Sequence, residues 1–327
     1  MFQPLKPWHW GLAVLIFAAL ALLPAVTSNS YVMHVLILSL IFGIFASAWN
    51  LVTGFAGLKT FGHHAFFGIG AYVSALLGIN FGISPWITIW IAALVAAGFG
   101  LFIGLPVLRI KSMPHVAIVT LAFAEIVRIT ISNLQSITRG ELGLWGIPAF
   151  EGFSLPGFGE VLFSPATKVP YYYLILALTM GSLGLITLMM RSKTGLAMVA
   201  MRDAEDAAES LGVNLTRYKL LVFAVSAFVA GLAGAYYAHY VGILTPSAAV
   251  GADLIILVIA MVLVGGIGTL SGPFIGALLL TILVEALRDA GNFRLVIYGS
   301  LIIVTVMFVP RGLATLGAVL RRRPARA

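Results

Sequence analysis

The sequence predicts an all-α fold: a polytopic helical membrane protein of about ten transmembrane or membrane-embedded helices with glycine-broken segments, in one transmembrane domain over 1–327. Three observations carry this. Of 327 residues, 61% are hydrophobic and 9% are charged, whereas a soluble domain has roughly 45–50% apolar and about 25% charged residues. The apolar residues lie in continuous runs of about 20, the length of a bilayer crossing, and not in the alternation of an outer-membrane barrel. Fourteen of the 19 Lys and Arg sort to one side of those runs, as the positive-inside rule requires. A soluble enzyme, a disulfide-stapled secreted domain and a nucleic-acid binder are thereby excluded. The formal charge of +8 reads as membrane orientation. Cysteine is absent, which removes disulfides, thiol nucleophiles and Cys-based zinc sites.

Taken in order, the spans fall at about 9–26, 31–52, 62–80, 85–106, 113–134, 170–190, 218–241, 252–267, 271–288 and 293–310. The first is read as a retained span, although Lys6, the apolar run 11–23 and the small residues after Pro24 also fit a signal peptide. An even number of crossings puts both termini on one side. With that side cytosolic, fourteen Lys and Arg fall inside, among them Lys59, Arg109, Lys111, Arg202, Arg217 and the run Arg321, Arg322 and Arg323. Four fall outside (Arg139, Lys168, Arg288 and Arg294), and Arg128 lies within a span. Trp8, Trp10, Trp86, Trp90 and Trp145 stand near span ends, where interfacial aromatics belong. Two connections exceed a turn. The outer one, 135–169, is rich in Gly, Pro and aromatics. The inner one, 191–217, is the most charged stretch and reads as one amphipathic helix with Ala200, Ala204, Ala207, Ala208 and Leu211 at helical spacing.

Glycine clusters twice, both times toward the predicted inner face. Gly54, Gly57, Gly62, Gly68 and Gly70 form one group; Gly265, Gly266, Gly268, Gly272 and Gly276, with Pro273, form the other. Paired Gly/Pro-interrupted segments in two halves of a membrane chain point to a substrate path; close packing through small residues is the alternative. Glu125 and Arg128 sit three apart in the fifth span, on one helix face. Each costs about 2.5–3.5 kcal/mol at mid-membrane. They read either as a mutually neutralising pair facing the bundle interior or as a border of the path, where a doubly charged substrate touches both. His63 and His64 are adjacent, about 100° apart on a helix, and read as interfacial polar groups. No HExxH, GxSxG or Walker A motif occurs, so the sequence assigns no catalytic residue, metal or cofactor.

Within the inner loop, Asp206-Ala207-Ala208, three residues and then Gly212 fit the acidic-Ala-Ala-xxx-Gly pattern of coupling helices in ABC importer permeases. Small residues seat such a helix in a partner's groove, charges fix its register, and a glycine ends it. More widely, the chain resembles the permeases of branched-chain amino-acid ABC importers, M-type, from about 36 to 313. The resemblance rests on four ordered blocks: NLVTGFAGLKTFGHHAFFGIGAYVSALL, VAIVTLAFAEIVRI, MRDAEDAAESLGVNLTRYKLLVFAVSAFVAGLAGAYYAHYVG and VLVGGIGTLSGPFIGA.

The resemblance implies a bacterial inner-membrane permease, N-in and C-in, forming the translocation path for branched-chain or related hydrophobic amino acids. Its implied partners are a second related permease as a heterodimer, two cytosolic ATPase subunits and a periplasmic substrate-binding protein. Arg202, Asp203, Glu205, Asp206, Ala207, Ala208 and Gly212 then dock an ATPase, and the outer loop meets the binding protein. Glu125, Arg128, Gly57, Gly62, Gly68, Gly265, Gly266, Gly268 and Gly272 border the path. The family's outer Thr-Gly-Gly-x-Asn-Gly-Leu stretch is altered here, with Arg139 for a Gly and Leu142 for Asn, which bears on substrate delivery. An ion-gradient-driven secondary transporter of a small polar solute is the alternative.

Overall fold

A computed structural model of the chain describes residues 7–27, 29–110, 112–155, 159–164, 167–287, 299–300, 307 and 312–315. The elements follow the apolar runs: α1 (Pro7–Val26), α2 (Ser30–Asn50) continued by a π-helical turn (Leu51–Phe55), α3 (His63–Phe81), α4 (Pro85–Leu108) and α5 (Met113–Asn133). After a short α6 (Gln135–Thr138) come α7 (Val169–Arg191), α8 (Lys193–Asp203), α9 (Glu205–Ser210) and α10 (Leu215–Val241). The chain then forms α11 (Pro246–Val250), α12 (Ala252–Gly265) and α13 (Gly272–Ala286).

Seven of these helical segments are long and apolar enough to cross a membrane, and α1 and α13 carry shorter apolar stretches. Nine expected spans therefore coincide with helices, within a few residues at each end. Most of the tenth, 293–310, lies outside the described residues, as do Lys6, Lys111, Arg288, Arg294 and Arg321.

Local chemistry sets the ends. Proline opens α4, α5, α7, α11 and α13, where its missing N–H costs nothing. Asn214 Oδ1 accepts from Arg217 N at 2.9 Å to cap α10. Gly82 and Gly242 end α3 and α10 in the left-handed conformation.

The centre of the bundle is α10, which packs on α3, α4 and α2. Its buried face is built of small residues (Ala227, Ala230, Gly231, Ala233, Gly234 and Ala235). Small residues let membrane helices approach at backbone distance, where dispersion contacts replace the hydrophobic effect. At Gly70 the approach is complete: a Cβ there would sit 2.5 Å from Gly231 Cα. A second packing unit joins α13 to α2 and α12. Of the outer connection, β1 (Leu144–Trp145) pairs antiparallel with β4 (Ile243–Leu244), in the register Leu144↔Leu244. β2 (Phe153–Leu155) and β3 (Gly159–Val161) form a separate hairpin.

The inner connection differs from its expectation. It is two helices and not one, because Ala204 between α8 and α9 is extended (φ −158°, ψ 90°). Of the expected alanine stripe, Ala208 is buried while Ala204, Ala207 and Leu211 face outward.

Gly70→Ala is expected to lower stability by about 1–3 kcal/mol through overpacking. Gly98→Ala, which meets nothing within 4 Å, is expected to be neutral. Thermal unfolding of the two purified variants in one detergent checks the contrast.

Candidate functional site

The two glycine clusters meet. Helix α2 loosens at its end, where Ala56 N bonds to Leu51 O at 3.2 Å and Leu58 N to Val52 O at 3.1 Å. The chain then runs unwound to α3. This stretch is latched to its own helix: Trp49 Nε1 donates to Thr60 O at 2.7 Å, and Thr53 Oγ1 to Leu58 O at 3.0 Å. Across from it lies the unwound 266–271 connection between α12 and α13. Asn50 Nδ2 donates to Thr269 O at 2.8 Å, and Asn50 Oδ1 accepts from Gly268 N at 2.8 Å. One side-chain amide thus satisfies a donor and an acceptor of the opposite break, which backbone inside an apolar bundle requires. Gly54 is excluded from carrying a side chain here, since its Cβ would lie 2.7 Å from Gly268 N.

Two further elements converge on the first break. From α8, Arg202 Nη1 donates to Gly54 O at 3.1 Å. Its Nε and Nη2 hold Asp203 Oδ1 at 3.0 and 2.9 Å. From α5, Thr120 Oγ1 accepts from Phe61 N at 3.1 Å, and Gly62 lies against the Thr120 carbonyl, its Cβ position 2.8 Å from Thr120 C.

Glu125 and Arg128 stand one to two turns further along α5. The pair forms as its spacing predicts, with Arg128 Nε donating to Glu125 Oε1 and Oε2 at 3.1 and 3.0 Å. It does not face the interior of this chain's bundle, however. Arg128 and Glu125 keep 33% and 48% side-chain exposure, on a face shared with exposed Ile118, Leu121, Ile126 and Ile129. The opposite face of α5 buries Phe123, Ala124 and Ile131.

His63 and His64 are buried among the helices. His63 Nε2 pairs with Ser226 Oγ at 3.1 Å, tying α3 to α10. No group of three or more His, Asp or Glu among the described residues is placed to hold a metal.

Of the residues the sequence singles out, the structure brings together Gly54, Gly57, Gly62, Gly268 and Arg202. Gly265, Gly272 and Gly276 form a contact of their own, in which a Cβ on Gly265 would meet Gly276 N at 3.0 Å and Gly272 C at 2.6 Å. Gly68 packs on the Val250 region of α11. Asp203, Asp206 and Gly212 lie on the surface of the inner connection. Glu205 turns inward and pairs with Lys219 of α10, whose side chain is only 6% exposed. Sequence reasoning missed Asn50, Thr120 and Lys219. Asn50 carried a signal, being the one amide at the end of an apolar run just before a glycine cluster.

Apolar membrane-length helices and hydrogen-bonded helix breaks within the bundle define a multi-pass helical membrane protein. Residues 31–309 match the family described as the branched-chain amino acid transport system permease component, and the chain belongs to that family. It is 35% identical over 291 residues to the high-affinity branched-chain amino acid permease protein LivM of Salmonella typhimurium, covering 84% of this chain and 68% of the relative. The LivM of Escherichia coli matches to the same extent. The high-affinity branched-chain amino acid transport system permease protein LivH of Salmonella typhimurium is 27% identical over 284 residues, covering 83% of this chain and 90% of LivH. No solved structure matches. The family supports the transport-system reading and gives none to the ion-gradient alternative.

Removing Glu205 leaves a buried ammonium without its carboxylate. Glu205→Ala is expected to destabilise by about 2–3 kcal/mol, short of the roughly 3–5 kcal/mol of a fully buried pair, because Glu205 is 32% exposed. Glu209→Ala, on the outward face of α9, is expected to be neutral in the same melting assay.

Proposed function

We propose that this chain is one of two related permeases that together form the path of a bacterial ABC importer for branched-chain amino acids. The Glu125–Arg128 pair on the open face of α5 carries the proposal. Charged groups facing hydrocarbon cost about 2.5–3.5 kcal/mol each on insertion scales. This face is therefore covered in the working assembly by a second permease and by water, not by lipid. A carboxylate beside a guanidinium matches the ammonium and carboxylate of a free amino acid. The aliphatic flanks Ile118, Leu121, Ile126 and Ile129 match an aliphatic substrate side chain.

The remaining assignments follow from the same assembly. Lys59, Arg109, Lys193, Arg202 and Arg217 stand at the end of the bundle that holds the glycine breaks, which supports a cytosolic assignment of that end with the N-terminus inside; the expected tenth span returns the C-terminus to the same side. ATP hydrolysis resides on two separate ATPases docked at the inner connection through its exposed residues Asp203, Asp206, Ala207 and Gly212. Leu211, 86% exposed, is the apolar knob of that surface. Gly212, at φ +86° with open space around it, ends the docking element. The outer connection, 135–169, receives the substrate from a periplasmic binding protein. Arg139, at φ +60° and stacked 4.0 Å over the Trp145 ring, marks that surface. The chain acts as a single permease domain, and the glycines at 57, 62, 68, 265, 266, 268 and 272 shape the inner part of the path.

Two measurements test this. Leu211→Asp is expected to reach the membrane at native level but to lose ATPase co-purification; retained ATPase removes the docking assignment. In proteoliposomes of the assembled importer, Glu125→Gln is expected to cut ATP-driven uptake of leucine about tenfold or more, the loss of a charge-assisted contact, with the ATPases still bound. Uptake that persists without ATP and collapses with an uncoupler would return the chain to the secondary-transporter class.

A further inference from the structure

Arg202 does not point toward a docking partner. Its guanidinium reaches back across the fold to Gly54 O at 3.1 Å, and its neighbour Asp203 fixes the fork through Nε and Nη2. The first glycine break is shaped to receive it. Gly57 holds φ +77°, a backbone region that side chains rarely adopt, and a Cβ there would sit 2.6 Å from Arg202 Cγ. The segment that accepts Arg202 is internally latched by Trp49 to Thr60 and Thr53 to Leu58. Its far end is bound to α5 through Phe61 N and Thr120 Oγ1, about one turn from Glu125. Its side is bound to the second break through Asn50, Gly268 and Thr269.

We infer that Arg202 is a positioning residue for transport. It is the handle by which motion of the ATPase-docking segment is passed to the 51–62 break, and through Thr120 to the α5 face that carries Glu125 and Arg128. This rests on the ATPase-docking reading given above, but assigns Arg202 a role inside the chain instead of at the docking surface. Coupling between distant sites needs contiguous contacts and an element that both sites bias; the latched break is that element.

The test uses the complete importer, reconstituted with its second permease, ATPases and binding protein. Arg202→Ala is expected to retain ATPase co-purification and ATP hydrolysis while leucine transported per ATP falls about tenfold. The half-saturating concentration of leucine-loaded binding protein is expected to stay unchanged. Gly57→Ala, which attacks the same contact from the other side, is expected to act likewise. Unchanged transport per ATP in Arg202→Ala overturns the inference. Loss of ATPase co-purification in that variant also overturns it, since Arg202 would then be a docking residue. If the native chain itself retains no ATPase, the docking reading fails, and this inference fails with it.

A second measurement needs no disruptive variant. The chain has no cysteine, so spin labels on Lys59→Cys and Lys193→Cys report the separation of the break from the start of α8. That distance is expected to stay fixed between the resting and ATP-trapped importer, because the two move together. A change in it overturns the inference.

Discussion

Unwound backbone inside an apolar bundle must find its hydrogen bonds in protein, and Asn50, at the end of α2, supplies two of them to the 266–271 connection. Its amide donates to Thr269 O and accepts from Gly268 N, so the end of α2 and the α12–α13 connection are one structure. Without that amide, Gly268 N and Thr269 O lose their partners, and an unsatisfied buried polar group costs about 1–3 kcal/mol. The glycines are then a geometric consequence. Gly54 has to pass within backbone distance of Gly268, and Gly57 has to leave room for Arg202. The small-residue face of α10 plays the same part for the body of the bundle, letting α3 and α4 close onto it and leaving α5 as the more exposed neighbour of the break.

That exposure gives the fold its functional direction. Helix α5 is anchored on its first half by Thr120 and buries Phe123, Ala124 and Ile131, yet offers Glu125 and Arg128 outward. A helix that is held on one side and ionic on the other suits a boundary between protein and a polar passage, and is poorly suited to lipid. The proposed transport path, the proposed second permease and the proposed handle at Arg202 all depend on this asymmetry of one helix.

Much of the fold was legible in the sequence because bilayer crossings are set by local composition. Pro85, Pro114 and Pro170 mark helix starts, and Gly82 and Gly242 mark stops, so span ends fall close to the observed helix ends. The Glu125–Arg128 pair was legible because spacing along a helix fixes which side chains meet. Its exposure was not, since exposure depends on which neighbours cover α5. The meeting of the two glycine clusters was not legible either: Asn50 and Thr269 are bonded across 219 positions, and no local pattern encodes such a pairing. The inner connection was misread as one helix because Ala204 is a strong helix former. Tertiary contacts override that propensity, as Arg202 is drawn to Gly54 and Glu205 to Lys219 on either side of it.

The central claim is that the exposed face of α5 borders an aqueous path, and thiol accessibility tests it most directly. Single cysteines at Leu121, Ala122 and Ile126, and at buried Phe123 and Ala124, are introduced into this cysteine-free chain. The assembled importer is then treated with a charged, membrane-impermeant thiol reagent. The account predicts labelling at 121, 122 and 126 that leucine-loaded binding protein and ATP alter, with 123 and 124 unreactive. No labelling at 121, 122 and 126, alongside ready labelling by a lipid-soluble reagent, would place that face against lipid and contradict it.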